Sequence, residues 1–374
     1  MTVSNPTARR VRVRPTDHSD LGALAALFED RFGHPVTPEE WEWKYRRVPG
    51  EARSWVAVDE TGRVLAHAGA LCLPARLGAG PAEHAGEAPE VGEGREGSEF
   101  REAGIWQLTD WAGTASVTGL RPPLVGLGRR LLADLPRPED APWIFGFPSE
   151  RHFDLGRRVF GYRPLPGVVE LAGALPGAGS TLEAVDPGLI EVHEHCGAWP
   201  EAAEAAWAAC RVRGVRRSAA FLNWRYHARP GRYYRFYRLR AAGAEDRDAP
   251  GGLAVFAFAG VEALAAELWL PPPGSALDGG PTSGPAPKSE PRDDRAAEVW
   301  LPALRAVAAD LMAAGLSRWR FWPPPAGAAA LERLGVRATG PAVFMGSRGR
   351  AGDQAGAHPA DPCFYYAMGD YDLI

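Results

Sequence analysis

The chain has 374 residues and a formal net charge of -4, with hydrophobic residues making up 45%. That composition belongs to a folded globular protein and excludes wholesale disorder or a collagen-like repeat, while the near-balanced charge offers no general positive field for nucleic acid or anionic lipid. The N-terminus has no signal-like apolar run and no stretch of about 18 apolar residues follows, so two soluble domains, a cytoplasmic location and no membrane span are expected.

Taken in chain order, Val11 to Arg14 alternates as a strand. Leu21, Leu24, Ala25, Phe28 and Phe32 then recur at helical spacing behind Asp20, a candidate cap. Thr37-Pro38-Glu39-Glu40 predicts a helix start: the threonine caps, Pro38 forfeits no needed amide, and Glu40 closes a capping box. Ser54 to Val58 and Arg63 to Leu73 read as a hairpin turning at Asp59 to Gly62. Residues 78–99 are rich in Gly, Ala and Glu and are expected to be a solvated loop. Next come a predicted strand near Ile105 to Trp111, a glycine-rich turn, and a helix near Leu127 to Leu135. A strand at Trp143 to Phe147 and a helix near Arg151 to Val159, closed by Gly161, complete the first half.

The second half echoes the first. Trp43-Lys44-Tyr45 and the Pro49-Gly50 behind it share the pattern W-[KR]-Y-x-x-x-P-G with Trp224-Arg225-Tyr226 and Pro230-Gly231. The same order of elements follows each copy, which points to a duplication. Tyr233 to Leu239 and Gly252 to Phe258 form the second predicted hairpin, with Ala263 to Leu270 as the next strand. Residues 271–295 read as a flexible excursion. A helix through Leu304, Val307, Ala308, Leu311 and Met312 comes next, then a strand at Arg318 to Trp322 and a short helix at Ala328 to Leu334. Val343 to Gly346 and Phe364 to Met368 are expected to complete a sheet. The predicted boundaries are 8–170 for a first domain, 171–200 for a linker, and 201–374 for a second domain carrying the insertion 271–295.

A strand, a glycine turn and a helix in succession make an anion-binding arrangement, because unpaired amides at the helix start face the ligand. The candidate stretch is Val125-Gly126-Leu127-Gly128-Arg129-Arg130: the glycines permit close backbone approach and the arginines donate to phosphate. The bland alternative is a flexible turn before a helix whose arginines face water. Asp110, near the end of the preceding strand, is the candidate general base, against the alternative of a sheet-edge ion pair. Strand alternation puts Trp106 on the same face as Asp110 and Trp111 on the other. Cys72, Cys196, Cys210 and Cys363 are scattered thiols, and His193, His195 and Cys196 lack a second ligand group, so no metal is expected.

This order of elements resembles the GNAT superfamily of acyl-CoA transferases, specifically its tandem members. In that family a Q/R-x-x-G-x-G/A loop cradles the coenzyme A pyrophosphate; Pro123 to Gly128 keeps both glycines, with Pro123 in place of Gln or Arg. Trp143 to Pro148 looks like the strand that splays to admit pantetheine, and Leu155 to Tyr162 like the L-Y-x-x-x-G-F ending, with Arg157 where the tyrosine stands. The resemblance implies an α/β fold of two tandem acyl-CoA N-acyltransferase-like domains, each a mixed central sheet flanked by helices. It implies acetyl-CoA or another acyl-CoA as co-substrate, an unidentified small-molecule or protein amine as acceptor, and direct attack in a ternary complex. Pro271 to Pro273 lack amide donors where the second loop belongs, so the second half is expected to bind no coenzyme. The alternative is an inactive tandem domain that recognises a ligand or partner. Residues 211–240 carry ten arginines among aromatics, but because W-[KR]-Y recurs in the first half, packing explains it and no nucleic-acid partner is expected.

Overall fold

The computed structural model describes residues 11–78, 100–114, 122–135, 143–164, 168–176, 186–194, 200–210, 213–243, 251–271, 292–324, 327–343, 346–349 and 364–365. The chain divides into two compact units: residues 1–75, 79–166 and 344–360 form one, and residues 76–78, 167–343 and 361–374 the other.

The first unit opens with β1 (Arg12–Pro15), α1 (Leu21–Phe32) and α2 (Pro38–Arg46), and continues through β2 (Glu51–Val58), β3 (Val64–Gly78) and β4 (Phe100–Gly113). It then adds α3 (Pro122–Asp134), β5 (Trp143–Gly146), α4 (Glu150–Val159) and β6 (Arg163–Pro164). Local chemistry sets several of these ends. Thr37 Oγ1 accepts from the Glu40 amide while the Glu40 carboxylate accepts from the Thr37 amide, the capping box expected at α2. Asp59 turns the β2–β3 hairpin by accepting from the amides of Thr61 and Arg63, with Gly62 at φ 84°. Asp20 differs from expectation: its carboxylate takes a two-pronged bond from Arg14 at 2.6 and 2.7 Å, and Asp17 caps the short turn before α1. Of the predicted loop at 78–99, Gly78 ends β3 and the rest lies outside the described residues.

The second unit contains β7 (Val168–Ala174), β8 (Ile190–His193), α5 (Pro200–Ala209), β9 (Arg213–Val215) and α6 (Ala219–Leu222), which runs into one π-helical turn at Asn223–His227. It goes on through β10 (Tyr234–Leu239), β11 (Gly252–Ala259), β12 (Glu262–Trp269), α7 (Arg292–Ala313), β13 (Arg318–Phe321), α8 (Ala328–Arg333) and β14 (Arg337–Val343). The chain then supplies β15 (Gly346–Gly349), which belongs to the first unit, and β16 (Phe364–Tyr365), which runs parallel to β9. Most of the 271–295 excursion, residues 272–291, is outside the described residues.

Both sheets are mixed. The first unit's strands run β1-β2-β3-β4-β5-β15-β6 and the second unit's β14-β7-β13-β12-β11-β10-β8. Each contains a parallel pairing within that order, β4 with β5 and β12 with β13. Beyond that pairing each sheet is completed by a strand from elsewhere in the chain. β15 lies between β5 and β6, while β7 lies between β13 and β14.

Helices cover the sheets as α/β layering requires. In the first unit Trp55, Ala68, Ala70 and Trp106 pack with Leu124, Leu127 and Leu131 of α3. On the opposite face α1 and α2 bring Phe28 and Tyr45 edge-on to His67, at ring-centroid distances of 5.6 and 5.9 Å. In the second unit α7 buries Trp300, Leu304, Val307 and Leu311 against Tyr237, Phe256 and Trp319. The two layers per sheet and the matched strand directions make this a tandem α/β architecture.

Candidate functional site

In the first unit the β4–β5 ladder pairs Trp106 with Ile144, Gln107 with Phe145 and Leu108 with Gly146, and pairing stops there. β5 ends at Gly146 while β4 continues to Gly113. The carboxyl ends of two parallel strands therefore part just beyond Leu108, the place where open α/β sheets admit ligands.

Asp110 lies two residues past that point and is the only non-glycine with positive φ among the described residues, at 52°. The break reverses the alternation of β4. Trp106 and Leu108 belong to the α3 face, and so does Trp111, whose ring fills the space over Gly128. Asp110 instead turns to α2. The expectation that Asp110 shares a face with Trp106 is thus corrected: an irregular residue re-aims its side chain and those beyond it.

On the α2 side the Asp110 carboxylate is fully engaged. Lys44 Nζ donates to Oδ1 at 2.7 Å and Tyr45 Oη donates to Oδ2 at 2.6 Å. Side-chain exposure is 10% for Lys44 and 14% for Asp110, so the ion pair is only narrowly open. Gly69 of β3 makes the approach of Tyr45 feasible, since a Cβ there would stand 2.1 Å from Tyr45 Oη. His67, fully buried on β3, places Nδ1 2.9 Å from the Asp110 carbonyl oxygen and Nε2 2.8 Å from Ser54 Oγ. Burial lowers the imidazole's proton affinity, outweighing the opposing pull of Asp110. A backbone strained at about 1–3 kcal/mol is held by three side chains, Lys44, Tyr45 and His67, converging on one residue.

The duplicated motif builds a related constellation in the second unit. Tyr226 Oη donates to Glu267 Oε1 at 2.6 Å, as Tyr45 does to Asp110. β12 also breaks its alternation here. Val255 pairs with Glu267 and Phe256 with Ala265, leaving Ala266 as the extra residue. Ala263, Ala265 and Leu268 face α7, whereas Glu267 faces the α5–α6 side. The chemistry is nonetheless different. Arg217 Nε donates to Glu267 Oε1 at 2.9 Å, Trp269 Nε1 donates to Oε2 at 3.0 Å, and both Arg217 and Glu267 are completely buried. Tyr226 is held protonated, its pKa raised by burial and then by the neighbouring carboxylate. This acid is sealed.

The residues expected to hold phosphate lie inside α3. That helix begins at Pro122, ahead of the expected start, so Gly126, Leu127, Gly128, Arg129 and Arg130 are in its second and third turns. Their amides bond back to carbonyls four residues earlier. In the first turn Pro122 and Pro123 have no N–H and the Val125 amide makes the first helical bond, leaving that of Leu124 among the described residues. Leu127 is fully buried in the core. Gly128 is needed for contact, because a Cβ there would meet Trp111 at 2.3 Å and Phe160 at 2.5 Å, while Gly126 has nothing within 4 Å. Arg129 and Arg130 are exposed, and the Arg130 guanidinium sits 4.8 Å over the Trp55 ring. Arg157 is exposed and pairs with Asp154 at 3.7 Å.

The α3 face of the site also carries two polar atoms with no partner. Trp111 Nε1 and His152 Nε2 are both buried without a hydrogen bond, their rings 4.7 Å apart. Burial alone lowers His152 to about 4. The sequence does not single out Lys44, Tyr45 or His67 as site residues, although the repeated W-[KR]-Y is the signal for the first two. Among the described residues no group of three or more His, Cys, Asp or Glu is placed to hold a metal, and no helix is long and apolar enough to cross a membrane.

No family model matches the chain, and no curated protein matches it in sequence. Solved structures do match in fold. A conserved protein of unknown function from Enterococcus faecalis V583, titled a probable N-acyltransferase, aligns with a TM-score of 0.54 at 12% identity over 91% of this chain and 72% of that one. A GCN5-related N-acetyltransferase from Kribbella flavida aligns at 0.53 with 13% identity over 92% and 72%. The GCN5-related glucosamine N-acetyltransferase region of a fungal multidomain β-N-acetylglucosaminidase aligns at 0.51 with 13% identity, over 91% of this chain and 38% of that one. The chain has the GNAT-superfamily fold.

Proposed function

We propose that the first unit is an acyl-CoA-dependent N-acyltransferase, moving an acetyl or other acyl group to an amine by direct attack in a ternary complex. The observation that carries this reading is Asp110, raised by a backbone break at the parting of β4 and β5 and held from the α2 side. A carboxylate that already binds the Lys44 ammonium has the chemistry to hold the ammonium of an acceptor. It takes one proton directly or through water, and the free amine attacks the thioester carbon as the thiol departs. For the acyl donor, this chain offers the first-turn amide of Leu124 and the exposed Arg129; Arg130 would have to leave its place on Trp55. The second unit, with Glu267 sealed by Arg217, is assigned no chemistry.

One observation favours the alternative, a recognition scaffold without catalysis. The two prolines that open α3, and the enclosure of Gly126 to Arg130 in its helical bonding, leave few backbone donors for a diphosphate. Calorimetry with acetyl-CoA, followed by thiol release over a panel of primary amines, separates the two. Acyl transfer predicts binding and amine-dependent thiol release, with Asp110→Asn still binding donor but slowed by about 10²–10⁴-fold. Binding without thiol release favours the scaffold, and no heat with any acyl-CoA removes the transferase reading.

A further inference from the structure

We infer that His67 is a positioning residue for the reaction, one that holds the Asp110 peptide in its turned conformation; this rests on the acyl-transfer reading above. The argument begins from donors and acceptors. A carbonyl oxygen only accepts, so the 2.9 Å contact with Asp110 requires a hydrogen on His67 Nδ1. The buried ring is neutral, so Nε2 is an acceptor and receives the Ser54 hydroxyl across 2.8 Å. With its one hydrogen spent on Nε2, Ser54 Oγ accepts from the rotatable Thr16 hydroxyl 2.7 Å away, which anchors the far end of the ring to the turn after β1. The imidazole is thereby fixed in one tautomer and one orientation.

What it holds is a peptide that would otherwise relax. An L-residue at φ 52° is strained, and the neighbouring β-strand geometry is the lower-energy state. The 110–111 peptide is planar and trans, so pinning the Asp110 carbonyl toward His67 also sends the Trp111 N–H the opposite way. His67 therefore sets two directions at once, the Asp110 carboxylate on the α2 side and the Trp111 amide on the other. In the second unit the equivalent acid, Glu267, is paired in the ladder with Val255, which has no side-chain donor, and Glu267 shows no positive φ. The histidine accompanies the strained acid and is missing from the sealed one.

Isosteric substitutions test this. An asparagine side chain places its amide nitrogen near the position of Nδ1, whereas glutamine reaches the position of Nε2. His67→Asn should therefore retain the backbone amide signals of Asp110 and Trp111 in ¹H–¹⁵N spectra and most of kcat. His67→Gln should displace those signals and lower kcat by on the order of a hundredfold, with the KM for acyl-CoA little changed. Ser54→Ala removes only the far contact and should leave the Asp110 signals in place. Equal behaviour of the Asn and Gln variants would overturn the inference. So would a wild-type imidazole spectrum showing the hydrogen on Nε2 instead of Nδ1, a measurement that needs no variant to fold. If the wild type transfers no acyl group, the acyl-transfer reading fails, and the spectra still decide whether His67 holds the peptide.

Discussion

Gly126 and Gly128 stand two residues apart in α3, and replacing each with alanine should have opposite effects. Alanine in a helix interior is favoured over glycine by about 0.5–1 kcal/mol, because less backbone freedom is lost on folding. At Gly126 nothing opposes that gain, since a Cβ meets no atom within 4 Å. At Gly128 the Cβ would stand 2.3 Å from Trp111 Cη2, 2.5 Å from Phe160 Cζ and 2.9 Å from Phe160 Cε1. Phe160 is buried and its ring is itself packed on Trp111, centroids 5.5 Å apart, so moving one ring presses on the other. Overpacking of this kind costs about 1–3 kcal/mol, leaving a net loss of up to about 2.5 kcal/mol after the helical gain. Thermal unfolding followed by far-ultraviolet circular dichroism should show Gly126→Ala raised by about 1–4 °C and Gly128→Ala lowered. A destabilised Gly126→Ala, or equal shifts for the two, would refute the helical placement and restore a phosphate-binding turn.

His152 gives a pH signature. Burial holds it near 4 in the folded chain against 6.5 in the unfolded one, so the unfolded state alone binds the proton between those values. Its contribution is fully present above about pH 6.5 and is lost as pH falls toward 4, by up to about 3 kcal/mol; His152→Phe should flatten that part of a denaturant-midpoint profile. In the second unit, Arg217→Met removes a fully buried cation from Glu267 and should destabilise by about 3–5 kcal/mol in chemical denaturation, with the Arg217→Met/Glu267→Leu double variant recovering much of the loss.

Local chemistry was the legible part of the fold. The Thr37–Glu40 box, the Asp59 turn and the two W-[KR]-Y copies are each decided by residues close together in the chain, and the structure contains all of them. α3 starts ahead of the expected position although its signal is present, because Pro122 and Pro123 suit the first positions of a helix better than the glycines suit a loop. Asp110 could be picked out as a strand-end acid, but not its orientation. Alternation predicts faces only while φ stays extended, and aspartate merely tolerates the left-handed region without announcing it. His67 left no mark at all, for its partner lies 43 residues away on a neighbouring strand.

The placement of β7 and β15 has a consequence for how such a chain can be cut or can evolve. A fragment stopped after β6 would keep β5 and β6 but lack the rung between them, and a fragment begun at residue 167 would carry that rung with nothing to join. The first unit is therefore interrupted in sequence by the second, and no single cut of the chain releases it whole.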